Sequence, residues 1–243
     1  VTLCAPRNEK GHIGAKAGCG VLYKTTRMDF TELDGNLLRM GLVEGLVHVL
    51  DVVEENNTAY AMLEKIEGPT LTEYLMRMEE PLEPSRALTI LRPVLVGVES
   101  MHAANVVHRG ICPDNIILES GGTAKLGGFA TLALRQQGSE LKPKLYPGYT
   151  APEQYSATEF EGRYTDIYSL GAVLYRMITG DTPPAGDERR VQDSLRPPRS
   201  IYKDIPNYVS NSIMRAMRLN SLERLQSVQD LRMSLSGESV AAR

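Results

Sequence analysis

Residues 108–118 constrain the fold of this chain more than any other stretch. They read His-Arg-Gly-Ile-Cys-Pro-Asp-Asn-Ile-Ile-Leu. Pro113 and the turn-forming pair Asp114 and Asn115 stand directly before the β-branched apolar run. Turn residues followed by such a run are typical of a loop that ends in a strand. The stretch therefore predicts a tight loop that runs into a β-strand.

The composition is that of an ordinary globular protein. Of 243 residues, 42% are hydrophobic and 23% are charged, so a sizeable core fits one large domain or two small lobes that share a cleft. The formal net charge is −3, and Lys and Arg do not cluster into a stripe. The sequence therefore argues against binding to nucleic acid, which needs a basic surface.

The three cysteines Cys4, Cys19 and Cys112 form no even set for disulfides and no metal-ligand pair spacing. They favour reduced thiols in a cytosolic compartment. No segment reaches the ~18 uncharged apolar residues of a transmembrane helix, and no signal peptide is recognisable. Because the first residue is Val1 rather than Met, we expect a fragment of a longer chain with a cytoplasmic location.

The 108–118 stretch resembles the catalytic loop of protein kinases, His-Arg-Asp-x-Lys-Pro-x-Asn followed by apolar residues. The matching positions are His108, Arg109, Pro113 and Asn115. In the family the Asp accepts the proton of the substrate hydroxyl and the Asn holds a magnesium ion. Here Gly110 stands at the Asp position and Cys112 at the Lys position. The resemblance implies a preserved loop without its catalytic carboxylate, with Asn115 as the residual metal position.

A second kinase motif departs from its pattern in the same way. A predicted strand at 123–126 leads into Gly128-Phe129-Ala130, where kinases carry Asp-Phe-Gly. In kinases this Asp chelates the magnesium that bridges the ATP phosphates, so the resemblance implies that the metal carboxylate is lost at Gly128. Phe129 is kept, and in kinases it stacks in one buried column. The other members of the matching column are His108, Leu37 and Val49.

Residues 131–148 are polar, show no apolar period and are predicted to form a loop. They resemble a kinase activation segment. The following Gly-Tyr-Thr-Ala-Pro-Glu-Gln at 148–154 is similar to the closing motif of bacterial Ser/Thr kinases. Ser139 and Thr150 are candidate phosphorylation sites in this region.

Two further matches concern the architecture of the large lobe. Arg224 lies in a segment similar to the kinase Asn-x-x-x-Arg-x-x-Ser region, and the resemblance implies that Glu153 and Arg224 are partners. The apolar sequence 164–180 predicts a helix with Thr165 as its N-cap. It resembles the central large-lobe helix of kinases, whose first-turn Asp accepts backbone N–H groups of the catalytic loop. The matching residue is Asp166, which is therefore expected to be an architectural anchor.

The first 28 residues admit two alignments with a kinase small lobe. In one, residues 1–4 are the third strand, and Cys4 stands where the phosphate-binding Lys is found. In the other, residues 15–23 are a degenerate Gly-rich loop in which only Gly20 keeps its place. A Cβ in such a loop hinders the approach of backbone N–H groups to phosphate. Both alignments imply a damaged nucleotide site.

Residues 30–40 predict a short amphipathic helix, because apolar side chains recur at spacings of three and four. The kinase helix at this place presents a Glu to the strand Lys, and by spacing the matching residue here is Leu33. Glu32 and Asp34 flank it and are expected to point elsewhere on the helix. Without a Lys partner, a carboxylate here has no reason to be buried.

Residues 46–53 and 58–64 predict a hairpin joined by a polar turn, and a helix is predicted at 71–75. This order resembles the kinase sequence from the fourth strand through the hinge to the first large-lobe helix. The resemblance implies that an adenine cleft lies at the hinge. Its matching residues are Leu63 as gatekeeper, Glu64 and Ile66 in the hinge, and Ile117 and Asn115 from the large lobe.

Periodicity predicts the remaining elements. Residues 85–102 form the clearest amphipathic helix, with Ser85 as its N-cap and a kink at Pro93. Residues 181–206 are predicted to be a loop. Two weaker helices are predicted at 211–219 and 227–235.

The resemblance extends over residues 30–235 and implies an α+β protein-kinase fold of two lobes. We place a small, degenerate β-rich lobe at 1–64 and a mostly helical lobe at 65–243. Bacterial kinases similar to this sequence are often tethered to the membrane by segments outside the kinase domain. A cytoplasmic domain of a longer, membrane-tethered protein is therefore compatible with this chain.

The residues that build the large lobe are kept, whereas those that perform chemistry are lost at Gly110, Gly128 and Cys4. The kept residues are His108, Arg109, Phe129, Glu153, Asp166 and Arg224. We therefore expect a pseudokinase that acts in signalling as a binding or scaffolding module. Its partner would be a protein, such as an active kinase or a phosphoprotein.

Two other functions stay open. One is a Ser/Thr kinase-like enzyme with rearranged chemistry, in which Asp114 serves as base or metal ligand and a lysine replaces the missing one. The candidate lysines are Lys10, Lys16 and Lys24. The other is a nucleotide sensor, which binds ATP weakly and without magnesium and does not turn it over.

Overall fold

A computed structural model describes residues 13–129 and 144–237 of the chain. These residues divide into two compact units. The first contains residues 13–43, 47–65 and 144, and the second contains 44–46, 66–129 and 145–237. The predicted lobe boundary, between residues 64 and 65, falls one residue before the change of unit at 65.

The first unit consists of one long helix and a hairpin. Helix α1 spans Gly20–Met40, strand β1 Val49–Glu55 and strand β2 Thr58–Leu63. The helix begins ten residues before the predicted start at residue 30. Residues 20–23 are therefore helical, and the alignment that treats 15–23 as a Gly-rich loop is wrong there. The alternative strand at residues 1–4, including Cys4, lies outside the described residues.

The buried face of α1 differs from the predicted one. Tyr23, Thr26, Asp34 and Leu37 are buried, whereas Leu33 is only half-buried. The expectation that Asp34 points away from the packed face is therefore wrong. Successive residues of a helix are separated by about 100° around its axis, so an alignment error of one residue exchanges a buried position for a more exposed one.

The hairpin is confirmed, with shorter strands than predicted. Its strands pair from Val49 with Leu63 to Glu55 with Thr58. The two connecting residues, Asn56 and Asn57, have φ of 52° and 57°. Two successive left-handed residues make a type I′ turn, for which Asn is favoured. Helix α1 is attached to this turn, because the Tyr23 hydroxyl donates to the Asn57 carbonyl at 2.5 Å.

The second unit is mainly helical and holds one short antiparallel pair of strands. The strands are β3 (Ile116–Leu118) and β4 (Ala124–Leu126). The helices are α2 (Leu71–Met76), α3 (Pro84–Ala103), α4 (Arg163–Thr179), α5 (Gly186–Val191), α6 (Pro198–Ile201), α7 (Asn207–Ala216) and α8 (Val228–Leu235). The predicted loop-to-strand transition after residue 115 is thus confirmed.

Helix α4 lies at the centre of the second unit, and nearly all of its residues are buried. It packs against α3 and α7. Its N-cap is Gly162 rather than the predicted Thr165, which lies in the first turn. The Thr165 hydroxyl instead accepts from the Gly162 N–H at 3.1 Å. At the other end Gly180 has φ of 76°, the left-handed conformation that ends many helices.

Two other predictions for the second unit need correction. The N-cap of α3 is Glu83 rather than Ser85. The helix includes Pro93, as expected, and the kink there stays a prediction. The segment 181–206, predicted as loop, contains α5 and α6. Helix α5 carries Arg189, which is buried and donates to the Tyr168 hydroxyl at 3.0 Å.

None of the helices in the described ranges combines the length and hydropathy that crossing a bilayer requires.

Candidate functional site

The first turn of α4 holds the loop at 108–115 in place through hydrogen bonds to its backbone. Asp166 is fully buried and accepts the His108 N–H on Oδ2 and the Arg109 N–H on Oδ1, each at 2.8 Å. His102 Nε2 lies 2.8 Å from the same Oδ2. Burial alone raises the pKa of this carboxyl, but the neighbouring His102 and His108 hold it below its ordinary value. The predicted anchoring of the loop by Asp166 is confirmed.

His108 is a neutral, structural residue of the loop. The Gly110 N–H donates to Nδ1 at 3.1 Å, so the ring proton lies on Nε2, which donates to the Gly127 carbonyl at 2.9 Å. Burial lowers the pKa of this imidazole to about 4. The ring centroid lies 5.0 Å from that of Phe129. The contact expected between these two rings is confirmed. Leu37 and Val49, the other expected members of the column, are buried residues of the first unit, and their place in the column stays a prediction.

The two positions where kinases carry acids are tightly enclosed here. A Cβ built on Gly110 would lie 3.0 Å from the Gly128 carbonyl oxygen. A Cβ on Gly128 would lie 2.5 and 2.6 Å from Oδ1 and Nδ2 of Asn115, and Gly128 has φ of 72°, which side chains rarely adopt. The space next to both glycines is thus taken by neighbouring backbone and by the Asn115 carboxamide.

Asn115 and Asp114 are both engaged in contacts within the second unit. Asn115 Nδ2 donates to the Gly110 carbonyl at 2.6 Å and to the Tyr146 hydroxyl at 3.1 Å. Asp114 is exposed, and its Oδ1 accepts from the Thr72 hydroxyl at 2.6 Å. Asn115 therefore holds the loop closed, and Asp114 points to a partner on α2.

The donor set of this loop does not fit a magnesium centre of the kinase kind, which holds the ion with a carboxylate and an amide oxygen. Gly128 supplies no carboxylate, so Asn115 Oδ1 is the one side-chain oxygen that the two motif positions offer, while Asn115 Nδ2 donates to protein acceptors. Within residues 13–129 and 144–237, no three His, Cys, Asp or Glu side chains come together as metal ligands. We therefore derive no chemical step through a metal ion at Asn115.

The residues predicted to line an adenine cleft are distributed over both units. In the first, Leu63 is 44% exposed, and the Glu64 carboxylate accepts the His48 N–H at 2.8 Å. In the second, Ile66 and Ile117 are half-buried. Their role in binding adenine stays a prediction. Cys112, at the position of the kinase loop Lys, is buried.

The predicted pair of Glu153 and Arg224 is confirmed as a buried, two-pronged ion pair. The two guanidinium nitrogens donate to Oε1 and Oε2 at 2.7 and 2.8 Å, and the side chains are 3% and 0% exposed. The Thr165 hydroxyl adds a third bond to Glu153 at 2.8 Å. This pair joins the closing motif of the activation segment to the last part of the chain.

Of the two candidate phosphorylation sites, one is enclosed. Thr150 is 3% exposed, and its hydroxyl oxygen accepts the Tyr146 N–H at 2.7 Å. A kinase cannot reach a hydroxyl held in this way, so Thr150 is not a phosphorylation site in this structure. Ser139 lies outside the described residues.

The sequence analysis did not identify two buried acidic side chains. Asp34 on α1 is 5% exposed, and burial raises the pKa of its carboxyl to about 6. Glu161, just before α4, lies 3.1 Å from Arg109 Nε, and the two side chains are 6% and 15% exposed. Asp34 could have been identified from its position, because it follows directly after Leu33, which was aligned with the Glu of the kinase helix. No sequence motif indicated Glu161.

Comparison with known proteins agrees with this architecture. A protein kinase domain model matches residues 31–230. The chain is 31% identical to a probable serine/threonine-protein kinase of Clostridium perfringens, over 76% of this chain and 28% of that protein. It is 34% identical to serine/threonine-protein kinase PknL of Mycobacterium tuberculosis, over 58% of this chain and 36% of PknL. The chain thus spans about a third of the length of these relatives.

Solved structures show the same fold. The apo form of PpkA-294 superposes with a TM-score of 0.76 at 29% identity, over 96% of this chain and 83% of that one. The PknI kinase domain of Mycobacterium tuberculosis gives a TM-score of 0.68 at 19% identity, over 88% of this chain and 79% of that one. The chain belongs to the protein kinase family, with a small unit of few strands and a helical large unit, and its matched relatives include bacterial Ser/Thr kinases.

Proposed function

We propose that this kinase-family domain is a pseudokinase, a module that binds protein partners in signalling and does not transfer phosphate. The observation that carries the proposal is the pair of glycines at the positions of the catalytic base and the metal-binding acid. A Cβ at Gly128 would overlap the Asn115 carboxamide, and a Cβ at Gly110 would lie 3.0 Å from the Gly128 carbonyl oxygen. Neither position therefore supplies a carboxylate to the loop.

The size of the loss supports this proposal. A positioned base contributes about 10²–10⁴-fold to the rate, and electrostatic stabilisation of the transferred phosphate by metal and Lys is usually the larger contribution. In the alignment that takes residues 1–4 as the third strand, the lysine position falls on Cys4, outside the described residues. The supporting architecture, by contrast, is retained in full around Asp166 and around the Glu153–Arg224 pair. A fold kept without its chemistry suits a binding function.

A second candidate is a Ser/Thr kinase with rearranged catalytic residues, which the names of the matched relatives favour. It requires Asp114 to act as base or metal ligand, and that carboxylate is bonded to the Thr72 hydroxyl. It also requires a lysine. Lys16 and Lys24 are exposed in the first unit, and Lys10 lies outside the described residues.

Phosphate transfer by the purified chain decides between these two functions. We would incubate it with radiolabelled ATP, a generic basic protein and either magnesium or manganese, and compare it with Asn115→Ala and Asp114→Ala. Incorporation at the background level in all samples supports the pseudokinase. Robust incorporation that is lost in Asn115→Ala or Asp114→Ala overturns it and establishes the rearranged enzyme.

A thermal-shift titration with ATP addresses nucleotide sensing separately. Ligand at a hundredfold its dissociation constant adds about 2.7 kcal/mol to the free energy of unfolding. A shift without magnesium supports a sensor, and a shift that needs magnesium points to a metal site. If neither condition gives a shift, the search moves to protein partners, which we propose are cytoplasmic signalling proteins such as an active kinase.

A further inference from the structure

Arg109 makes contacts to three separate segments of the second unit. Its N–H donates to Asp166 in α4 at 2.8 Å, and its carbonyl accepts from Gln154 Nε2 at 3.0 Å. The guanidinium donates to the Val107 carbonyl at 3.0 Å, and its Nε lies 3.1 Å from Glu161 Oε2. Backbone and side chain together thus join the loop to the Ala-Pro-Glu region and to the segment before α4.

The side chain of Glu161 is buried, whereas that of Glu159, the other acidic residue of this segment, is exposed. The Glu161 side chain is 6% exposed, and the residue stands directly before Gly162, the N-cap of α4. Glu159, two residues earlier, pairs with Arg190 at the surface, where the side chains are 42% and 36% exposed. Exposed ion pairs contribute little, whereas a buried charge that loses its partner is strongly destabilising. We therefore expect the Arg109–Glu161 contact to stabilise the loop and the Glu159–Arg190 contact to contribute little to its stability.

An arginine enclosed beside a kinase loop needs an anion. Phosphorylation commonly supplies one, because a phosphate in the activation segment forms new pairs with arginines and orders the segment. Here the chain supplies a carboxylate next to Arg109. In addition, Thr150, the candidate phosphorylation site among the described residues, has its hydroxyl enclosed and bonded.

We infer that Glu161 is the built-in counter-ion of Arg109, which fastens the catalytic loop to the start of α4 without phosphorylation. Glu161 acts through Arg109 and is thus a positioning residue. The contact between the catalytic loop and the start of α4 is, on this inference, held permanently by a residue of the chain. The inference goes beyond the proposed pseudokinase function and does not depend on whether the protein transfers phosphate.

The inference predicts that removing Glu161 creates an anion site. In Glu161→Ala the Arg109 guanidinium faces a cavity that the carboxylate used to fill, and inorganic phosphate can take its place. We would measure Tm in increasing phosphate, against potassium chloride of equal ionic strength. Phosphate stabilises folded proteins in general, so the wild type gives the baseline. The expected result is a rise in Tm with phosphate for Glu161→Ala that exceeds that of the wild type by about 3 °C or more. Glu159→Ala is the matched control and should behave as the wild type does.

The outcomes separate cleanly. If Glu161→Ala folds and its Tm rises with phosphate no more than the Tm of the wild type and of Glu159→Ala, the inference is wrong. If Glu161→Ala does not fold, the double variant Arg109→Met/Glu161→Met provides the test, because replacing both members of a buried pair by apolar residues is often tolerated. Recovery of a cooperative unfolding transition in the double variant supports the inference. A double variant that is as defective as Glu161→Ala overturns it, because Glu161 then acts through some other group.

Discussion

Replacement of Asp34 by Asn is expected to stabilise the protein at neutral pH. Asp34 is 5% exposed on the inner face of α1, and burial raises the pKa of its carboxyl from 3.8 to about 6. Asn has nearly the same size and shape but no charge. The substitution therefore removes the free-energy cost of keeping an ionised carboxylate away from water.

The two pKa values fix the magnitude and the sign of the effect. Between 3.8 and about 6 the folded state binds more protons at Asp34 than the unfolded state does, so the free energy of unfolding falls as the pH rises through this window. One pKa unit corresponds to ~1.36 kcal/mol. The loss due to Asp34 is thus about 1 kcal/mol at pH 4.5 and about 3 kcal/mol at pH 7.5. Asp34→Asn should recover these amounts.

Urea unfolding at the two pH values measures the recovery. The advantage of Asp34→Asn over the wild type should grow by about 2 kcal/mol from pH 4.5 to pH 7.5. Glu32→Gln, on the exposed side of the same helix, removes the same charge and should give a small, constant difference. An Asp34→Asn difference that is equal at both pH values, or a variant less stable than the wild type at pH 7.5, would refute the reasoning.

Three further substitutions test other contacts. Glu153→Gln should lower the free energy of unfolding in urea by about 3–5 kcal/mol, because Arg224 stays charged and buried; a loss below about 1 kcal/mol contradicts this. Gly128→Ala should lower the free energy of unfolding by more than about 1 kcal/mol, because φ is 72° and Asn115 fills the space. Gly121→Ala, where a Cβ meets open space, is the control and should leave Tm unchanged. Equal effects of the two substitutions would contradict this reasoning. Tyr23→Phe should cost about 1 kcal/mol by losing one hydrogen bond and speed amide exchange in the hairpin, and unchanged exchange would argue against that contact.

The sequence was most informative where a motif fixes both members of a contact. Asp166 and the loop N–H groups, and Glu153 and Arg224, could be paired because their segments resemble kinase motifs in which these contacts occur. Residue chemistry alone would not have selected these partners among many of opposite charge or polarity. The hairpin was predictable from local sequence, because two apolar, strand-like runs flank a short polar turn.

The predictions failed where burial comes from elements distant in sequence. The first ten residues of α1 carry no regular apolar stripe, and their helical state depends on packing against the hairpin. Asp34 was assigned to the exposed side of α1 because residues 30–40 were aligned with the kinase helix from Phe30, and this alignment was wrong by one position. Glu161 and Arg189 belong to no motif that was recognised. Each is buried because a distant partner meets it there, Arg109 in one case and Tyr168 in the other.

Asn115 couples the two glycine positions to one another. A side chain introduced at Gly128 has to displace the Asn115 carboxamide, which donates to the Gly110 carbonyl and to the Tyr146 hydroxyl. Such a substitution therefore disturbs the loop at Gly110 as well, and the effects of changes at the two glycines should not be additive. Introducing acids at these positions is thus a case of epistasis, in which the tolerance of one position depends on the residue at the other.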